Sequence, residues 1–463
     1  MRLTGFVVLV LLLSVNSFAQ KITISGAVPG AEGKIIRLAV PGDLITFWEK
    51  PLAEARIDPA GKFSFQVDPG MTTIAWLSID FHKAEMFLEP SAQYDIRFAT
   101  LSVDESAEVN PFIQSQNLVI ESDGEGPGRL NGLIREFDSV FSSFLTANFS
   151  SLYHERNKTL LDTFRVRLNI RFGSVKNPYF LDYATYKMAS LEQMTQYYNR
   201  AQLARKYFTG KPILYGNVEY MDFFNSFFSK YFGATGAIRK VDIPSLLMGQ
   251  APCKALMKAM ASDTILKNEQ LRELVMLKGL IDLCRSDATL EEACLGVIGA
   301  VKDHGRFPEN RIIAADMISM LTYLKPGTPA PDFTLKDLRG QDISLSTLRG
   351  KPVLLTFWTT YCQECLSGLD MIVPLFGRYR ENMHFVSISS DRSFSKMAYF
   401  INLKRDYSWT FLHVGEQTEV LKNYDVRSYP LYVLIDREGR IDRYAAGGPG
   451  EGLEAEVEKL LQK

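Results

Sequence analysis

The stretch Pro352-Val353-Leu354-Leu355-Thr356-Phe357-Trp358-Thr359-Thr360-Tyr361-Cys362-Gln363-Glu364-Cys365 runs from a continuous apolar segment straight into a cysteine pair. An apolar run without polar alternation marks a strand covered on both faces. Leu366, Leu369, Ile372, Val373 and Phe376 follow at helical spacing. A strand ending at Trp358 and a helix beginning near Cys362 put the first sulfur at a helix N-terminus. Unpaired amides and the macrodipole there favour the thiolate, which is the reactive species. Cys365 lies one turn later on the same face, close enough to attack a mixed disulfide made by Cys362. Cys362 therefore reads as nucleophile and Cys365 as resolving thiol, a redox-active disulfide that needs no added cofactor. Zinc is the other common use of such a pair, but it needs a second set of ligands. None is visible: His82, His154, His304, His384 and His413 are scattered singly, each a surface or structural residue.

Outward from the pair, Phe385 to Ile388 and Tyr432 to Ile435 read as further buried strands, and Leu453 to Leu461 as a closing amphipathic helix. Residues 325–463 thus form a compact α/β domain with a mixed central sheet. Lys325-Pro326-Gly327-Thr328-Pro329-Ala330-Pro331 before it is an extended connector. Such a connector implies that 326–463 folds alone. Residues 105–324 have helical period, with faces at Leu133, Phe137, Val140, Phe141 and Phe144, and at Leu160, Leu161, Phe164 and Leu168. Phe223, Phe224, Phe227, Phe228 and Tyr231 form an aromatic stripe, either a groove for client peptides or helix-packing core. From 20 to 104 the period is two, as in Phe63/Phe65/Val67 and Tyr94/Ile96/Phe98, with turn signals between, and reads as a small antiparallel sandwich or barrel. Gly33-Lys34 mimics the end of a phosphate loop, yet Ile35 stands where a hydroxyl must ligate Mg²⁺. Residues 1–19 carry Arg2, an apolar run from Phe6 to Val15 and Ser17-Phe18-Ala19, the pattern of a cleaved signal peptide.

With 463 residues, 46% hydrophobic and 23% charged, the chain can bury several cores. A net charge of −1 leaves no basic field for nucleic acid or anionic lipid. No later segment reaches the ~18 apolar residues of a membrane span, so stable membrane insertion is not expected. Five cysteines are too few for a disulfide scaffold. Cys253, Cys284 and Cys294 lie in the helical region, and Cys284 and Cys294 can pair only if their Cα atoms fall within ~7 Å.

The C-terminal motifs resemble the thioredoxin superfamily, in its exported TlpA/ResA-like branch. Gly327-x-Pro329-Ala330-Pro331-Asp332-Phe333-x-Leu335, Leu345-Ser346-x-Leu348-Arg349-Gly350-Lys351, Phe357-Trp358-x-x-x-Cys362-x-x-Cys365, Tyr424-x-Val426-x-x-x-Pro430 and Leu434-Ile435-Asp436-x-x-Gly439-x-Ile441 occur in the family's order. The resemblance implies a thioredoxin fold, a cis bond at Pro430 and contact of Tyr429 with substrate backbone. Trp358, Tyr361, Gln363 and Glu364 flank the pair as supporting or substrate-contacting residues. It also implies protein disulfide substrates in the periplasm or cell envelope of a Gram-negative-type bacterium, with electrons from a membrane donor. The chain departs from the family at three places. Gln363-Glu364 replaces a dipeptide ending in Pro, Thr356 replaces a buried Asp, and Gly368 replaces a Glu just after the motif.

Two other functions fit parts of the pattern. A thiol peroxidase shares the fold, and Thr359 suits its motif, but Leu355 occupies the proline position and Cys365 is too near. A binding or scaffold protein would keep the pair as a structural disulfide. The charge pattern favours a reductase. Glu364 lies roughly 6–7 Å from Cys362 by helix geometry. At effective dielectrics of about 80 to 20 its repulsion of a thiolate is on the order of 0.6–2.5 kcal/mol, and exposure favours the lower half.

Overall fold

The computed structural model describes residues 21–80, 82–90, 92–99, 116–122, 129–233, 241–415 and 417–463. The expected signal peptide at 1–19 lies outside the described residues.

Among the described residues, nine strands build the N-terminal part: β1 (Ile22–Ala27), β2 (Ile35–Pro41), β3 (Glu49–Arg56), β4 (Lys62–Val67), β5 (Thr73–Ile79), β6 (His82–Leu88), β7 (Gln93–Phe98), β8 (Gln116–Asn117) and β9 (Ile120–Ser122). In β4 and β7 the period-two reading holds residue by residue: Phe63, Phe65 and Val67, then Tyr94, Ile96 and Phe98, face inward, and their neighbours face out. Two sheets result, in orders β4-β1-β7-β9 and β3-β2-β5-β6-β8, around one apolar core. The expected antiparallel pattern fails at two places, because β1 pairs parallel with β7 and β6 with β8. The boundary at 105 is also corrected. β8 and β9 fall inside the span assigned to helices, since strands of two or three residues are too short to show a period.

Ten helices follow among the described residues, from α1 (Leu130–Tyr153) to α10 (Pro308–Thr322). Asparagine starts several of them. Asn157, Asn177, Asn217 and Asn268 each accept from the amide three residues on, which satisfies a donor the helix leaves free. The aromatic stripe is core and not a groove: Phe223, Phe224, Phe227, Phe228 and Tyr231 are buried, the four phenylalanines packing with Phe208 and Tyr231 with Phe228. Leu44, Ile74 and Phe87 of the strand region belong to this same core. Asn131 seals the joint by bonding both the N–H and the carbonyl of Phe87, at 2.7 and 2.9 Å. Cys253, Cys284 and Cys294 are free thiols.

The C-terminal domain contains β10 (Thr334–Asp337), β11 (Asp342–Ser344), β12 (Val353–Trp358), α11 (Gln363–Tyr379), β13 (His384–Ser389), α12 (Phe394–Leu403), β14 (Thr410–His413), α13 (Glu419–Asn423), β15 (Leu431–Ile435), β16 (Ile441–Tyr444) and α14 (Leu453–Leu461). One sheet runs β11-β10-β14-β13-β12-β15-β16, with β12 parallel to β13 and antiparallel to β15. All six residues of β12 are buried, as its unbroken apolar run requires. Leu355 and Phe357 face one core and Leu354 and Trp358 the other, so the sheet is covered on both sides.

The connector is not free chain. Gly327 donates to the Ile441 carbonyl at 2.7 Å, Ala330 to Gly439 at 2.9 Å, and Arg440 reaches the Gly327 carbonyl at 2.9 Å. Leu324 lies in the C-terminal core, Tyr323 packs against it, and the Tyr323 hydroxyl donates to the Asn423 carbonyl. The boundary at 325 is therefore corrected to before Tyr323. A fragment starting at 322 is expected to be about 2–3 kcal/mol more stable than one starting at 326, from the buried Leu324 side chain and the Tyr323 contact. Urea midpoints of the two fragments measure this, and equal midpoints would contradict it.

Candidate active site

Cys362 is the N-cap of α11, and its sulfur accepts the Cys365 amide at 3.1 Å. That position gives a thiolate a donor and the positive end of a 17-residue helix. Cys362 and Cys365 are joined as a disulfide, with Cα atoms 5.2 Å apart. The two sulfurs differ in access. Cys362 is half-buried, whereas Cys365 is 1% exposed and packs among Trp358, Leu369 and Tyr432. The arrangement leaves Cys362 open to an outside group and Cys365 behind it.

Tyr361 is 41% exposed beside the pair, and Gln363 and Glu364 are exposed in or next to the first turn of α11. The Tyr429-Pro430 bond is cis, and both residues are half-buried. Burial pushes the Tyr429 hydroxyl well above its usual range. Trp358 needs a correction as a substrate contact. It is fully buried, covered by Phe400 and Phe411 at ring distances of 5.7 and 6.0 Å, so it supports the turn from below.

Two of the departures, Thr356 and Gly368, have defined surroundings. Thr356 is buried at mid-strand, opposite Tyr432 on one side and Ser387 on the other. A β-carbon at Gly368 would collide with the Tyr432 hydroxyl, so the phenol already fills the space that any larger residue at 368 would need. Burial pushes the Tyr432 hydroxyl up to about 12, which keeps it protonated and poorly matched to proton transfer near neutral pH.

Sequence reasoning missed Asp391, which is 2% exposed and accepts from the amide and hydroxyl of Thr360, two residues before Cys362. Its only signal is an acid just past a buried strand, and that pattern names no chemistry. His413, expected to be surface or structural, is structural: it is buried, with Nε2 2.6 Å from the Asp391 carbonyl.

The model of the AhpC/TSA family matches residues 326–444. The ResA thiol-disulfide oxidoreductase of Bacillus cereus is 29% identical over 139 residues, covering 30% of this chain and 77% of that protein. Thioredoxin-like protein YneN of Bacillus subtilis is 31% identical over 127 residues, 27% of this chain and 73% of its own length. Among solved structures, the thioredoxin domain of a thiol-disulfide oxidoreductase from Bacteroides vulgatus is 27% identical. It covers 29% of this chain and 97% of that one, with a TM-score of 0.28. The matches run through the buried strand, the N-capping Cys362 and the Pro430 loop, and through its C-terminal domain the chain belongs to the thioredoxin-like thiol-disulfide oxidoreductases of the TlpA/ResA type.

Proposed function

We propose that this oxidoreductase is an exported disulfide reductase acting on envelope proteins. The carrying observation is the unequal access of the two sulfurs at the start of α11. In the reduced enzyme the Cys362 thiolate attacks a client disulfide, forming a mixed disulfide and releasing one client thiolate. Cys365 then gives up its proton to solvent and attacks the Cys362 sulfur. That step releases the second client thiolate and leaves the Cys362–Cys365 disulfide. The client gains two electrons, and a dithiol donor at the membrane restores them. Export is supported by the sequence pattern of residues 1–19. Among the described residues no helix is long and apolar enough to cross a membrane.

The direction of flow rests on charge. The helix terminus stabilises the Cys362 thiolate, whereas Glu364 in the same turn opposes it. Less thiolate stabilisation means a stronger reductant. Titration against glutathione and then dithiothreitol is expected to place the pair well below the ~−120 mV of a strong dithiol oxidant. A value near that figure reverses the proposal. Glu364→Gln is expected to raise the potential and shift Cys362 alkylation toward lower pH by up to about one unit, less at high salt. No change in either would remove Glu364 from the argument.

A further inference from the structure

A buried carboxylate lies under the turn that carries Cys362. Asp391 Oδ1 accepts from Thr360 N at 3.1 Å and Thr360 Oγ1 at 2.6 Å. Oδ2 accepts from Thr360 N at 3.1 Å and Ser389 Oγ at 2.7 Å. The Asp391 amide donates to Ser389 Oγ at 3.1 Å, and its carbonyl meets His413 Nε2 at 2.6 Å. One residue earlier, Ser390 donates to the Trp358 carbonyl from its amide at 3.1 Å and its hydroxyl at 3.4 Å. Ser390 and Asp391 thus grip both ends of Trp358–Thr360, the segment that sets where Tyr361 and Cys362 emerge.

The charge itself is not cancelled by these bonds. Thr360 and Ser389 are neutral donors, which satisfy the oxygens and leave the negative charge in place. The titratable groups facing the site are His413 on β14, and Tyr429 with its neighbour Tyr361. Burial pushes His413 down and Tyr429 up, so both are neutral near pH 7. Arg392, next in the chain, is exposed. A charge 2% exposed is also screened less by salt than the exposed Glu364.

We infer that Asp391 is a positioning residue of the redox pair: it pins the Cys362 turn through Thr360, and its buried charge biases the pair toward the reductant side. This rests on the reductase reading and adds to the Glu364 charge a buried one from outside the motif.

The test uses the full chain. Asp391→Asn keeps an acceptor oxygen under Thr360 and removes the charge. Its pair is expected to become about fivefold easier to reduce in equilibrium with glutathione or dithiothreitol, which is ~20 mV. In a Cys365→Ser background, Cys362 alkylation is expected to shift by about 0.5–1 pH unit toward lower pH, and to keep that shift in high salt. Ser389→Ala removes one hydrogen bond to the carboxylate and leaves the charge. It is expected to lower the melting temperature with little change in potential. An Asp391→Asn chain that melts earlier but keeps the wild-type potential and alkylation profile would overturn the assignment. So would a potential that moves the other way, or that Ser389→Ala moves equally. If the Asn variant does not fold, Asp391→Ser takes its place; if neither folds, Asp391 is scaffold and the assignment fails. Failure of the reductase reading shows separately, as a wild-type chain that oxidises dithiols and does not reduce insulin.

Discussion

A Cys365→Ser chain is expected to accumulate client proteins disulfide-linked to Cys362, while Cys362→Ser accumulates none. Both variants should reduce insulin no faster than background under multiple turnover, for different reasons. Cys362 is the half-exposed sulfur at the helix N-cap, so its loss removes the attacking thiolate. Cys365 is 1% exposed and comes into play only after a mixed disulfide has formed. Its loss leaves the first step intact and stops the second, so one client stays bound per chain. Non-reducing electrophoresis, with mass spectrometry of the bands, reads the difference directly. If no partners accumulate on Cys365→Ser, or the two variants behave alike, the pair is a structural disulfide.

The second large effect is a change of sign at Gly368. In the wild-type chain Gly368→Ala is expected to destabilise by about 1–3 kcal/mol, because the new β-carbon and the Tyr432 hydroxyl cannot share one place. In a Tyr432→Phe chain the colliding oxygen is gone, and the ring carbon that bore it lies at an ordinary contact distance of 3.6 Å. There the same substitution is expected to stabilise, by up to ~1 kcal/mol, because alanine loses less backbone entropy than glycine inside a helix. The double-mutant cycle should therefore show a coupling energy on the order of 2 kcal/mol. Additive effects would mean that α11 shifts away from β15 freely. Gly368→Glu is expected to fail for the same reason unless Tyr432 is first made smaller.

Much of the redox centre is legible because its determinants are close in sequence. The apolar run 353–358, the cysteine spacing and the amphipathic helix after it are local patterns. They place Cys362 at an N-cap whatever the rest of the chain does. The alternation in β4 and β7 is equally local, so the strand region is legible in the chain alone. Patterns weaken where elements are short, as in β8 and β9.

Sequence by itself determined the pair of sulfurs, the buried strand before them and the helix that begins at the first. Only the tertiary structure decided what surrounds them. Asp391 reaches Thr360 across 31 residues, through the parallel pairing of β12 with β13. Tyr432 meets Gly368 because β15 lies beside β12, under α11. Tyr323 joins the C-terminal domain through Asn423, a hundred residues on. Each of these contacts depends on which strand pairs with which, in what register. A buried charge or a filled gap leaves no period in the chain, so its meaning appears only once its neighbours are in place.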